Sequence, residues 1–217
     1  MNAGFSNLAT LKAHLLAPSL ALAAETTYDA VLTTLGLGVA AHFDSVCNRK
    51  FTRAAGTTDI LPADMCQFLL PRFPVESISA IDLKTTEADG WVAQVINDFV
   101  RTIDLAKGIV YLPDGADAGP YYAQLRFTYT GGYFWNILEP ADVGYPTALP
   151  SGANALPPDL KLAWLLQCEA VWKARDKLGT EIIERDDVKF VNSALSELKL
   201  VPQVKAILQQ FTRINMV

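Results

Sequence analysis

The sequence predicts an α+β protein, a helical bundle with an inserted antiparallel β sub-domain. Three observations carry this. Apolar residues recur at helical spacing in residues 6–50 and again in 157–213. Between them, residues 57–130 break into short strand-like runs separated by turn residues. Tyr129-Thr130-Gly131-Gly132-Tyr133 then marks a strand exit and Leu156-Pro157-Pro158-Asp159-Leu160 a helix entry, with residues 133–155 as a long loop between them. The chain has 217 residues, 51% of them hydrophobic, which is enough for one core-forming domain spanning residues 1–217.

In chain order, Ser6 is the expected cap of a short helix with Leu8, Leu11 and Leu15 on one face, ending before Pro18. Residues 19–25 are rich in Ala and Leu and read as a bent continuation of it. Thr26-x-x-Asp29 resembles a capping box, with Asp in place of the usual Glu. The helix it opens carries Tyr28, Val31, Leu32, Leu35, Val39, Phe43 and Val46 at helical spacing. Gly36, Gly38, Ala40 and Ala41 make a second, small-residue face on the same helix. A glycine inside a helix costs ~1 kcal/mol relative to alanine, so two in three positions point either to a close backbone approach, from this chain or from a neighbour, or to a tolerated weak spot or kink. The helix is expected to end near Cys47-Asn48-Arg49-Lys50, whose cations suit the negative end of the helix dipole.

The strand runs are Thr57–Leu61, Gln67–Leu70, Val75–Leu83, Val92–Ile96, Phe99–Leu105, Gly108–Leu112 and Tyr121–Tyr129. Glu87-Ala88-Asp89-Gly90 and Asp114-Gly115 supply turns. The run from Val75 to Ile81 does not alternate strictly, although Val75, Ile81 and Leu83 fit one face. Consecutive short strands favour antiparallel pairing in a small sandwich or open barrel. Gly131 and Gly132 are expected to take the positive φ that turns the chain off the sheet. The loop 133–155 holds three prolines yet also Phe134, Trp135, Ile137, Leu138 and Tyr145, so it is expected to pack on its own sheet or on a partner.

Pro157 and Pro158 pre-set the helix start, and Asp159 places a carboxylate in the first turn. Leu160, Ala163, Trp164 and Val171 continue at helical spacing to a stop at Leu178-Gly179. Residues 181–187 read as a solvated connection and Val188–Leu198 as a further amphipathic helix. Pro202 opens a last helix with Val204, Ile207, Leu208 and Phe211 on one face. Ile214, Met216 and Val217 continue apolar after it, where an exposed terminal segment is ordinarily polar.

Charge and composition narrow the function classes. Lys and Arg number 18 against 23 Asp and Glu, a net charge of −5, which argues against a surface built to wrap nucleic acid. Cys47, Cys66 and Cys168 are widely spaced and odd in number, as reduced thiols are. No apolar run reaches the ~18 residues of a membrane helix. Residues 1–24 lack the basic start of a signal peptide, and Lys12 and His14 interrupt their apolar run. No P-loop, G-x-G-x-x-G, G-x-S-x-G or H-E-x-x-H motif occurs. His14 and His42 have no ligand set at metal spacing, and the acidic residues 181–187 lack calcium-loop spacing. No catalytic, cofactor-binding or metal-ligating residue is therefore assigned. Trp164 and Trp172 read as core.

The ordered set Cys47-Asn48-Arg49-Lys50-Phe51, Phe73-Pro74-Val75-Glu76-Ser77-Ile78-Ser79-Ala80-Ile81, Tyr129-Thr130-Gly131-Gly132-Tyr133, Leu156-Pro157-Pro158-Asp159-Leu160-Lys161 with Trp172 and Arg175, and Val204-Lys205-Ala206-Ile207-Leu208 with Phe211-Thr212-Arg213 resembles the head–tail connector (head-completion adaptor) family of tailed bacteriophages. The β region and the 133–155 loop are longer than in the compact members of that family. The resemblance implies a structural virion protein without enzyme activity or cofactor. It implies a ring, usually a dodecamer, docked beneath the portal protein, through which DNA passes without sequence-specific binding. It also implies a further contact with a neck or tail-completion protein, no membrane, synthesis in the host cytoplasm, and a C-terminal region that reaches the portal. The residues expected at subunit or partner interfaces are Gly36, Gly38, Ala41, Phe134, Trp135, Tyr145, Phe211, Ile214, Met216 and Val217. The alternative from the residues alone is a carbohydrate- or small-ligand-binding module with Trp91, Tyr133, Trp135 and Tyr145 as stacking platforms. A hydrolase is the third class, and the sequence offers no polar cleft for it.

Overall fold

The computed structural model describes residues 4–16, 26–112, 123–134, 151–174 and 199–213. They divide into two compact units, one helical and one β. Helices and antiparallel sheets together make the chain α+β.

The helical unit takes the described residues up to Cys47 and those from Leu156 to Thr212. Helix α1 (Leu8–Leu16) buries Leu8 and Leu11. Its cap is Asn7 and not Ser6: the Asn7 side-chain oxygen accepts the Thr10 N–H at 2.8 Å. The helix starts at Leu8, which makes Asn7 the flanking residue, and Ser6 is itself buried.

Helix α2 (Asp29–Val46) buries Leu32, Gly36, Val39 and Phe43 along one face. The expected capping box at Thr26 does not form. Tyr28 holds the cap position without a side-chain cap bond, and the Asp29 carboxylate accepts from Lys12 Nζ at 2.7 Å. A nearly buried ammonium holds the carboxylate that the box would have used. Of the two glycines, only Gly36 meets a close backbone. A Cβ on Gly4, whose φ is +119°, would stand 2.5 Å from the Gly36 carbonyl oxygen. That same oxygen accepts the Trp164 indole N–H at 2.9 Å. The helix ends at Cys47, and Asn48 turns the chain with a φ of 49°.

A later helix (Pro158–Ala174) buries Leu160, Ala163, Trp164, Cys168 and Trp172, so both tryptophans are core as expected. The Tyr28 and Trp172 rings meet edge to face at 5.6 Å. Buried Gln167 spends its amide on the segment entering the last helix: its nitrogen donates to Lys199 O and its oxygen accepts from Val201 N–H, both at 3.0 Å. The last helix (Pro202–Gln209) buries Val204 and Leu208, while Ile207 and Phe211 are half-buried. The expected helix stop at Leu178-Gly179 and the helix Val188–Leu198 lie outside the described residues.

The β unit takes the described residues from Asn48 to Phe134, those up to Ala155, and Arg213. Its strands are β1 (Ala54–Pro62), β2 (Gln67–Leu69), β3 (Val75–Lys84), β4 (Val92–Gln94), β5 (Thr102–Asp104), β6 (Ile109–Tyr111) and β7 (Gln124–Gly131). They form two antiparallel sheets, one in the order β1-β7-β3-β4 and one in the order β2-β6-β5. Strand β7 alternates strictly, with Leu125, Phe127 and Tyr129 inward. These side chains share one core with Phe68 and Val110 of the second sheet and with Leu70 just past β2. The imperfect alternation of β3 has a cause, because its register with β7 shifts twice, between Val75 and Ser77 and between Ile78 and Ala80. The two expected runs Val92–Ile96 and Phe99–Leu105 are separated by a single helical turn, α3 (Ile96–Phe99). Asn97 and Asp98 are poor strand formers, and the Asp98 N–H closes the turn on Val95 O. In chain order the two later helices are α4 (Pro158–Ala174) and α5 (Pro202–Gln209).

Residues 133–155 are not loop throughout. Their ends pair as a parallel ladder of β8 (Tyr133–Phe134) and β9 (Asn154–Ala155).

Candidate functional site

Two surfaces hold described residues that the sequence places at interfaces. The first is a groove of about 680 Å³ in the helical unit, lined by Ala30, Val31, Thr34, Leu35, Gly38, Val39 and His42 of α2 and by Val171 of α4. Apart from Val39, which belongs to the buried stripe, these α2 positions follow a second helical stripe offset from it. Gly38 is the bare floor of the groove, since a Cβ there would meet nothing within 4 Å. Among the described residues, the lining carries no Asp, Glu, Lys or Arg. The Thr34 hydroxyl is already bonded to Ala30 O at 2.9 Å. What the groove offers is apolar contact and a close backbone approach.

The second surface is the base of the 133–155 segment in the β unit. Gly131 and Gly132 serve it differently. Only Gly132 has positive φ, at 92°, while Gly131 is required because a Cβ would sit 2.6 Å from Arg72 O. The Tyr133 N–H donates to Phe51 O at 2.7 Å, and the Arg53 N–H donates to Tyr133 O at 3.0 Å. The Arg53 guanidinium grips Glu76 with two bonds, at 2.7 and 2.9 Å, and that bond holds its pKa above the ordinary value. Arg49, 4% exposed, lies over the rings of Phe73 (3.5 Å), Phe51 (4.6 Å) and Tyr133 (5.5 Å) and donates to Phe73 O. The described base is therefore held by backbone bonds and a stacked cation.

Of the expected interface residues, Gly36 is buried inside the helical unit, Gly38 lines the groove and Ala41 is exposed beyond it. Phe134 is half-buried in β8, and Phe211 is half-buried just past α5. Trp135, Tyr145, Ile214, Met216 and Val217 lie outside the described residues. The groove is what sequence reasoning missed. Its signal was present: Val31, Leu35, Gly38 and His42 repeat at steps of four, three and four, beside the buried stripe of Leu32, Gly36, Val39 and Phe43.

Chemistry beyond contact is sparse. Among the described residues no three His, Cys, Asp or Glu side chains stand together as a metal site would require. No helix among them is long and apolar enough to cross a membrane. His14 bonds Glu169 at 3.0 Å, and Lys173 holds the same carboxylate below its usual pKa. Of the expected stacking rings, Trp91 carries the Arg126 guanidinium at 4.6 Å and Tyr133 carries Arg49, so each has a ring face already in use.

No protein-family model matches the chain, and no curated protein does. Solved structures do. A chain of the virion of a native gene transfer agent particle matches with a TM-score of 0.60 at 15% identity, over 97% of this chain and 90% of that one. A chain from the neck of the empty particle, computed with C6 symmetry, matches over the same shares at 0.56 and 16% identity. A chain from the neck of the native particle, computed with C12 symmetry, matches over the same shares at 0.50 and 15% identity. The likeness is one of fold. It spans nearly the whole of both chains, so the helical and β units are shared together and not as a single module.

Proposed function

We propose that this chain is a structural protein of the neck of a tailed-phage-like particle. In this reading it is a head–tail connector that stands in a ring beneath the portal, extends the DNA channel and presents a surface to the next neck or tail-completion protein. The observation that carries it is the end-to-end likeness to chains of gene transfer agent virion and neck. The ordered motif set of the sequence supports it independently. So do the apolar α2 groove and the pinned base of residues 133–155, which suit contact with other subunits and not chemistry on a substrate. The net charge of −5 suits a channel wall past which phosphates must slide. The helical bundle is the frame into which the β unit is inserted, and the protein works without a cofactor.

The proposed contacts are Gly38 and Ala41 on α2, Phe134, Trp135 and Tyr145 in the 133–155 segment, and Phe211, Ile214, Met216 and Val217 at the end of the chain. The test is a mass determination of the full chain alone and co-expressed with the portal protein of its own particle. A complex holding a ring of this chain, twelve copies in the dodecameric case, is the expected result. A chain that stays monomeric beside the portal would remove the proposal. The 133–155 segment should exchange amide hydrogens faster in the free chain than in the assembled neck.

A further inference from the structure

Among the described residues, the chain closes on a cation with a fixed seat. Helix α5 stops at Gln209, and the turn after it is held by the same helix: the Phe211 N–H and the Thr212 hydroxyl both donate to Leu208 O. The helical unit takes residues as far as Thr212, and Arg213 belongs to the β unit. The half-buried Arg213 guanidinium donates through Nη2 to the carbonyl of Leu69, the last residue of β2. Asp59 of β1 and Tyr129 of β7, bonded to each other at 2.6 Å, lie within electrostatic reach of it. We propose that Arg213 is the positioning residue of the portal contact: seated on Leu69 O, it makes the apolar residues after it leave from the β unit, beside β1, β2 and β7. This inference rests on the connector reading above.

Three observations point to positioning more than to stability. The first is the chemistry of the bond. Burial holds the Arg213 pKa below its ordinary value, against the pull of Tyr129 and Asp59. The acceptor is a neutral carbonyl, so the cost of desolvating the cation offsets much of what the bond gains. A hydrogen bond of that kind fixes a direction at little net gain. The second is the seat. Leu69 belongs to one sheet and Asp59 and Tyr129 to the other, and Tyr129 lies in the core that the two sheets share. A group held by strands of a packed core is held more exactly than one on a loop. The third is reach. Four residues span roughly 14 Å at full extension, so Ile214, Met216 and Val217 can touch only what lies that close to Arg213. The place of Arg213 therefore decides which surface these apolar side chains meet.

The test reads the affinity of the full chain for the portal protein of its own particle. Arg213→Met keeps the apolar stem and removes every donor, and it should weaken portal binding by about tenfold or more at an unchanged melting temperature. The same change in a chain carrying Ile214→Ala and Met216→Ala should cost less than about threefold, because a weakened apolar end leaves Arg213 little to position. Arg213→Lys still offers a donor to a single carbonyl and should stay within about threefold of the unaltered chain. An Arg213→Met chain that binds as tightly as the unaltered one overturns the inference. So does an equal loss in both backgrounds, which would make Arg213 act independently of the residues after it. No binding by the unaltered chain removes the connector reading, and the inference with it. The seat itself is tested without the portal. Trypsin should cut the bond between Arg213 and Ile214 about tenfold or more slower in the free folded chain than in a peptide of residues 208–217. An equal rate means that the guanidinium is not seated, which overturns the inference and leaves the connector reading standing.

Discussion

The Tyr129 phenol shows how one residue ties the β unit together. Its hydroxyl donates to Asp59 at 2.6 Å and accepts the Arg72 N–H at 3.1 Å. Burial lifts its pKa far above the ordinary 10.0, and the bond to Asp59 adds to the lift. A raised folded-state pKa means that this contribution is whole below the unfolded value and is lost as pH climbs from there toward the folded one. The β unit should therefore weaken as pH passes 10.0, and Tyr129→Phe should flatten that loss in alkaline denaturation curves. At neutral pH the same variant should be less stable by ~1–3 kcal/mol, because Asp59 and the Arg72 N–H lose a partner. The cysteines give a second reading at this scale. Cys66 is exposed, whereas burial pushes the Cys168 thiol up and away from the reactive thiolate. A thiol reagent should label Cys66 in the folded chain, and Cys47 and Cys168 only after unfolding.

At the scale of elements, α2 carries two apolar stripes with opposite sensitivities. Gly38→Ala should stabilise the free chain by ~0.5–1 kcal/mol, since the site is open and helical. Gly4→Ala should destabilise it, because the new methyl would stand against the Gly36 carbonyl at a positive φ. Chemical denaturation of both variants checks the pair. The strands and the helices from Asp29 and Pro158 were legible because their apolar periods and their proline and glycine punctuation are local signals. The turn at Ile96–Phe99 was not, because four residues carry too short a period to oppose strand-like neighbours on both sides. The cap at Thr26 was misread because Lys12, seventeen residues away in sequence, decides where the Asp29 carboxylate goes. The β8–β9 ladder was illegible for the same reason, since a two-residue pairing across a long segment leaves no periodic trace. The α2 groove was half legible: Gly38 was read on a second, small-residue face, but Val31 and Leu35 were grouped with Leu32, Val39 and Phe43 in one apolar set.

At the scale of the whole molecule, removal of Ile214–Val217 tests whether the last residues are a portal anchor. The truncated chain should melt within ~0.5 kcal/mol of the intact one and fail to bind portal-containing heads. Loss of folding would place those residues in the core, and normal binding would exclude them as the anchor. The division into two units also sets an order in time. The β unit draws its described residues almost entirely from one stretch, Asn48 to Phe134, and needs little that the ribosome makes later. The helical unit is split, and the Gly36 carbonyl waits for an indole 128 residues downstream. At a synthesis rate of ~5–20 residues per second, that wait is roughly 6–26 s. During it, Leu32, Val39 and Phe43 have no α4 to cover them. The β unit should thus be the first part of each nascent chain to resist protease, and α2 the part that most needs a chaperone until α4 arrives.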